Sequence, residues 1–307
     1  MKIKILTLVC TLALAACGSD NDDDTNPTNP TNPTNPTNPT NPTNPTNPTN
    51  PTTDETAKAL INEVSGIVLR ESLGDGLIDS LVYGTDEILD NNIKCESGSY
   101  QKTANTVTLN KCVGVFEVEG KGSASGVIKF KQINDHSRDY EFNDLNVSFA
   151  DGENQVINGG LNVNDLPSVA TITVNQIKAV IKQFDQSKKL RTVNYAVDNY
   201  KLVWSAQDAT NVKLQLSGKI AATGGENGDF SVAYDNTNQP FFVKKDAKND
   251  DIVSSPYSGV MTIIDTKDNK NITTISALND QTAQYKAVLN NKVLFDETKK
   301  WSEILEY

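Results

Sequence analysis

The sequence predicts a mainly β protein: a large curved antiparallel sheet, as a barrel, half-barrel or sandwich, led by a short N-terminal helical segment. Three observations carry this. From Cys95 onward apolar and polar residues alternate, as in Leu145, Val147 and Phe149, or Tyr200, Leu202 and Trp204, the period of a strand with one buried face. Turn-rich clusters separate these runs, among them Asp151-Gly152-Glu153-Asn154 and Lys267-Asp268-Asn269-Lys270-Asn271, and such residues close hairpins. Finally, glycines recur inside the alternating runs, where they mark bulges and sharp bends.

The foldable part opens with a segment read as helical over residues 54–92. Asp54 is a plausible N-cap ahead of Ala57, Leu60, Ile61 and Val64, and acidic residues suit a helix N-terminus. Gly66 is expected to end or weaken this helix, Gly74-Asp75-Gly76 to form a turn, and Leu77 to Leu89 to hold a second helix. Residues 93–307 form the β body, with about 12 strands on the spacing of turn signals. Within it Phe142-Asn-Asp-Leu145-Asn-Val147-Ser-Phe149, followed by Ile157-Asn-Gly159-Gly-Leu161, echoes Val197-Asp-Asn-Tyr200-Lys-Leu202-Val-Trp204, followed by Leu216-Ser-Gly218-Lys-Ile220. Val118-Glu-Gly120 repeats the fragment upstream. Residues 169–191 fit either period; two strands about a turn at Asp185-Gln186-Ser187 are preferred. Trp301, Ile304 and Leu305 match one face of a short terminal helix.

The first 53 residues read differently. Lys2 and Lys4 precede an apolar stretch from Ile5 to Leu14, too short to span roughly 30 Å of hydrocarbon. Leu14-Ala15-Ala16-Cys17 follows. This tetrapeptide resembles the lipobox of bacterial lipoproteins. The resemblance implies that residues 1–16 are a signal peptide, that Cys17 is the lipidation site carrying diacylglycerol and palmitate, and that the bilayer is a partner through it. Several acyl chains make a stable anchor where one does not. Gly18 and Ser19 follow Cys17 rather than the Asp of an inner-membrane retention signal, so the pattern implies the outer membrane, with the periplasmic and surface faces both open. The stretch over residues 93–165, from Cys95-Glu-Ser-Gly98 to Cys112 and the strand with Gly120, loosely resembles uncharacterised proteobacterial lipoproteins; it implies no catalytic residue and no ligand.

Residues 17–53 then form the lipidated N-terminus and a tether. Thr-Asn-Pro repeats nine times from Thr25 to Pro51 and holds nine of the twelve prolines. Proline fixes φ, removes a donor and drives the preceding Asn out of the helical region. With nothing apolar to bury, the segment is expected to be a solvated polyproline-type spacer, about 80 Å long if fully extended. The repeat lacks the glycine a collagen axis requires.

Of four cysteines, Cys10 leaves with the signal and Cys17 carries lipid, leaving Cys95 and Cys112, 17 residues apart, for a disulfide in an oxidising compartment.

The charge and the side-chain inventory exclude several functions. With 28 basic against 39 acidic residues the net charge is −11, which gives no footprint for nucleic acid. A single imidazole, His136, rules out a multi-histidine metal site, and its polar surroundings read as a surface turn. Gly122-Ser123-Ala124-Ser125-Gly126 has Ala where a nucleophile elbow needs Ser. Gly224-Gly225-Glu226-Asn227-Gly228 lacks the spacing and the Lys of a phosphate loop. Asp20/Asp22/Asp24, Asp265–Asn271 and Asp246/Asp250/Asp251 are weak calcium candidates that fail the loop pattern, so no metal, cofactor or catalytic residue is assigned. Trp204, in an alternating strand, is expected in the core.

The function expected on these grounds is a membrane-anchored lipoprotein presenting a non-catalytic binding or structural β domain at the envelope, facing envelope polymer or a protein partner. Two alternatives stand: a carrier of an apolar ligand such as a lipid in a half-open barrel, and a glycan hydrolase working through two carboxylates.

Overall fold

The computed structural model describes residues 53–90, 94–116, 122–185, 187–248 and 251–305; Cys17, the tether, Asp20/Asp22/Asp24, Val118–Gly120 and Asp250 lie outside them. Two helices come first, α1 (Thr53–Leu73) and α2 (Leu77–Leu89). Asp54 and Glu55 lie in the first turn of α1, where they oppose the helix dipole. Contrary to expectation, α1 does not stop at Gly66 but continues to Leu73. Gly66 is itself buried, between Ser65 and Val68 on the packed face, and tertiary burial outweighs the roughly 1 kcal/mol that a glycine costs a helix interior.

Fourteen strands follow: β1 (Ser99–Lys102), β2 (Thr106–Val113), β3 (Ser123–Asn134), β4 (Ser137–Ser148), β5 (Asn154–Leu166), β6 (Val169–Phe184), β7 (Leu190–Ala206), β8 (Asn211–Thr223), β9 (Phe230–Asp235), β10 (Phe241–Lys244), β11 (Val260–Asp265), β12 (Ile272–Ala277), β13 (Thr282–Leu289) and β14 (Lys292–Lys300). A short α3 (Trp301–Leu305) closes the chain. The ambiguous stretch at 169–191 is two strands, as preferred, with Phe184 opposite Leu190 across the turn. All fourteen strands belong to one antiparallel sheet that runs as a meander from β1 to β14, with β10 set off the path against β8. Among the described residues no pairing joins β1 to β14, so the sheet is open, a curved trough rather than a closed barrel.

One face of the trough is apolar and buried. Along β7, for example, Val193, Val197, Tyr200, Leu202 and Trp204 are buried while Asn194 and Lys201 are exposed. Trp204 is a core residue, as expected. Helices α1 and α2 lie against this face. The Tyr285 hydroxyl on β13 sits 3.0 Å from both Asn62 Oδ1 and Ser65 Oγ on α1. On β7 the Tyr200 hydroxyl donates to the Glu71 carbonyl near the end of α1 (3.2 Å). Farther along, the Tyr140 hydroxyl donates to Asp86 on α2, and Arg138 reaches Asp90 Oδ1 at 3.1 Å.

The glycine-bearing repeat has a structural meaning. Across β2 to β8 the register slips at one level in five of the six strand pairs, at Leu109/Cys112, Ser125/Val127, Phe142/Leu145, Gly160/Leu161 and Asp198/Lys201; β6 and β7 pair without a slip, and β3 and β4 slip again near their turn at Gln132/Asn134. Lys111 (φ 49°), Asp144 (φ 47°) and Asn199 (φ 51°) take left-handed conformations there, next to Gly126 and Gly159 (both φ 128°). A Cβ at Gly126 would stand 2.4 Å from the Asp144 carbonyl oxygen, and one at Gly159 2.3 Å from that of Gln176, so no other residue fits without shifting backbone. These bulges line up into a transverse crease over seven strands. Bulges add bend and twist, and the sheet therefore folds over the helix pair along this line.

Cys95 and Cys112 are joined, with Cα atoms 5.0 Å apart, and the Glu96 and Val113 amides bond across the same loop to Val113 and Ser97 carbonyls. The disulfide thus clips the chain between α2 and β1 to the end of β2, beside the crease.

A candidate ligand cavity under the helical corner

The corner between α1 and α2 lies over the crease, and it leaves space on each side. The larger space, about 200 Å³, is bordered by Ile67, Leu77 and Leu81 of the helices, by Phe116, and by Val147, Ile157, Ile181, Val197 and Ile220 of β4 to β8. Every one of these strand residues lies on the same side of the crease. The smaller space, about 30 Å³, lies on the other side, against Ile172, Leu202, Trp204 and Leu214. The bulge row thus divides the concave face into two compartments.

The polar groups at this corner were not singled out from the sequence. Gly76 precedes α2 and offers no side chain to cap it. Glu71 of α1 does so instead, its carboxylate oxygens accepting the Leu77 N–H (2.8 Å) and the Ile78 N–H (3.3 Å), two of the donors that a helix start leaves unpaired. Burial pushes the Glu71 carboxyl up to about 7 despite those two amides. Asp79, in the first turn of α2, is also buried, and burial with the nearby Glu71 and Asp75 charges pushes it up to about 8. Its Oδ2 and the Trp204 indole N–H border the smaller space, and neither has a protein partner. A void of this size matches one water molecule.

On the larger side the polar lining comprises Arg70, Glu71, Asp75, Ser80, Gln155 and Tyr195. Ser80 donates to the Gly76 carbonyl at 2.9 Å, and Asp75 is exposed. Arg70 makes a long contact of 3.4 Å to the Leu305 carbonyl of α3 and no ion pair among the described residues.

The sequence candidates fall elsewhere. His136 is exposed in the β3–β4 turn, its Nδ1 3.2 Å from the Asp165 carbonyl oxygen. Gly122–Gly126 leads into and along β3, with Ser125 Oγ accepting the Lys111 N–H at 3.0 Å, so it has no strand-to-helix turn. Asp265 closes the β11–β12 turn by accepting the Lys267 N–H (2.8 Å) and the Asn271 side-chain amide (3.2 Å). Gly224 is bound through its N–H to Asp229 Oδ1. Among the described residues no group of three or more His, Cys, Asp or Glu side chains is placed to hold a metal ion, and no helix is long and apolar enough to cross a membrane.

No family model matches the chain, and neither curated proteins nor solved structures supply a match. The functional reading therefore rests on the residues and geometry above.

Proposed function

We propose that this chain is a lipid-anchored envelope protein whose folded body is a non-catalytic binding domain, and that the cavity under the α1–α2 corner is its binding site for an apolar group. The carrying observation is that cavity: about 200 Å³ of apolar-walled space between a helix pair and a creased, open sheet. Engineered apolar voids of about 150 Å³ already admit benzene, so this one has room for a short hydrocarbon. The buried acids support a binding rather than a hydrolytic role. Glu71 directs both carboxylate oxygens to the start of α2, and Asp79 faces a space of about 30 Å³, too small for a sugar ring. For the anchor, support comes from Leu14-Ala15-Ala16-Cys17 and the proline-rich spacer behind it, which together hold a body away from a membrane surface.

Two measurements test the two halves of the reading. Palmitate labelling of cells producing the Cys17→Ala chain should lose the label carried by the unaltered chain; undiminished label removes the anchor. Titration with decanol should show saturable binding that Ile157→Trp, which fills the cavity, abolishes. Binding that survives the filled cavity places the ligand elsewhere.

A further inference from the structure

The cavity's polar groups favour one class of apolar ligand. Three of them are hydrogen-bond donors: the Arg70 guanidinium, which reaches the Leu305 carbonyl at a long 3.4 Å, the Tyr195 hydroxyl and the Gln155 side-chain amide. Tyr195 lines the same cavity as Arg70; burial and the Glu63 carboxylate push its hydroxyl up, so it stays a neutral donor, and the Arg70 charge offsets them in part. Of the acids nearby, Glu71 turns both oxygens to α2, Glu63 accepts the Asn227 amide through Oε2 at 2.8 Å, and Asp75 is exposed.

Resting on the binding role argued above, we propose that the cavity takes a single-chain fatty carboxylate of medium length, its hydrocarbon tail between Ile157, Ile181 and Ile220 and its carboxylate on Arg70 and Tyr195. The volume sets the tail: at about 30 Å³ per water-sized group, 200 Å³ accommodates on the order of seven methylenes, with the head and the first carbons at the mouth. One chain therefore fits and two do not. The charge sets the head. A guanidinium offers a planar fork that matches the two oxygens of a carboxylate, and the hydroxyl adds a neutral donor. A single cation flanked by Glu63 and Asp75 suits a monoanion better than a doubly charged phosphate ester.

The test uses the chain from Gly18 to Tyr307 behind an initiator Met, which has neither the acylated cysteine nor the apolar Ile5–Leu14 stretch and keeps every described residue of the body, so that no detergent competes for the site. Affinities for decanoate, decanol and decyltrimethylammonium are compared by titration calorimetry at pH 7.5. Decanoate is expected to bind at least tenfold tighter than decanol, and the ammonium weakest. Arg70→Gln should bring decanoate down to the decanol level while leaving decanol unchanged, and that unchanged affinity also shows that the variant is folded. Tyr195→Phe should weaken decanoate about threefold. Equal affinities for decanoate and decanol, unaltered by Arg70→Gln, would overturn the head-group assignment and leave the apolar cavity standing. Failure of all three to bind overturns the binding role itself.

Discussion

Strands β2 to β8 and strands β9 to β14 belong to one sheet yet differ in kind. The first group is long, up to 17 residues in β7, and is crossed by the row of bulges at Lys111, Gly126, Asp144, Gly159 and Asn199. The second is shorter and nearly regular, with a single slip at Ala287/Val288. The helices register the contrast. Over the regular half α1 packs directly, with the Tyr285 hydroxyl against Asn62 and Ser65. Over the creased half the end of α1 is held to β7 by the Tyr200 hydroxyl at 3.2 Å from the Glu71 carbonyl, and the cavity lies beside that contact. The bulges, rather than the number of strands, mark the half of the sheet in which the cavity lies.

Breaking the crease should have the largest effect. Gly159→Ala puts a Cβ 2.3 Å from the Gln176 carbonyl oxygen in a left-handed conformation. It is expected to destabilise the body by at least ~3 kcal/mol, a strained backbone plus a clash. Gly152→Ala has a comparable φ of 99° but nothing within 4 Å, and should cost only ~1 kcal/mol. Equal losses in urea unfolding would mean that the crease is not what the glycine serves.

The corner over the crease should also make stability depend on pH. Glu71 and Asp79 hold their protons to about pH 7 and 8 in the folded chain, well above their unfolded values near 4. Between those limits the folded state binds more protons, so stability is full below about pH 4 on this account and falls as pH rises through 7 to 8. A loss on the order of 6 kcal/mol between pH 5 and pH 8 is expected for the pair, from about two and three pH units at about 1.4 kcal/mol each. Asp79→Asn should flatten the profile and raise the melting temperature at pH 8; an unchanged slope would contradict the burial of a protonated acid.

The disulfide secures the free edge of the creased half. Reduction, or Cys112→Ala, should lower stability by ~2–3 kcal/mol on the loop it closes, checked by denaturant midpoints with and without reductant. Where the two groups of strands meet, the buried Asn236 just after β9 accepts the Leu216 N–H of β8 at 2.6 Å while its amide donates to the Leu214 carbonyl at 3.2 Å. Asn236→Ala should cost ~2 kcal/mol by the same denaturant midpoints.

The same contrast shows how far the sequence could be read. Alternation and turn chemistry are local, so the antiparallel sheet, the hairpin at Asp185 and the terminal turn of helix at Trp301 were all legible. Glycines inside strands announced bends, and the repeat around Gly159 and Gly218 marked where they fall. That the bends align into one crease depends on register between strands far apart in sequence, which no local pattern encodes. The strand count came out at fourteen rather than about twelve because short strands such as β1 and β10 carry only four residues each. Glu71 and Asp79 escaped notice because an acid near a helix end reads as solvated; only the packing of Ser65, Val68 and Ser72 on one buried face of α1 hinted that the neighbouring turn would be buried too. Arg70 and Tyr195 come together only once β7 has passed beneath α1.

The most direct test of the central claim, that the crease and the helical corner enclose an apolar ligand cavity, is a crystal of the protein under xenon pressure, since xenon enters dry apolar voids. The account predicts anomalous density between Ile157, Ile181, Val197 and Ile220, lost in Ile157→Trp. Ordered water in that space, or helices collapsed onto β5 to β8 with no void between, would contradict it.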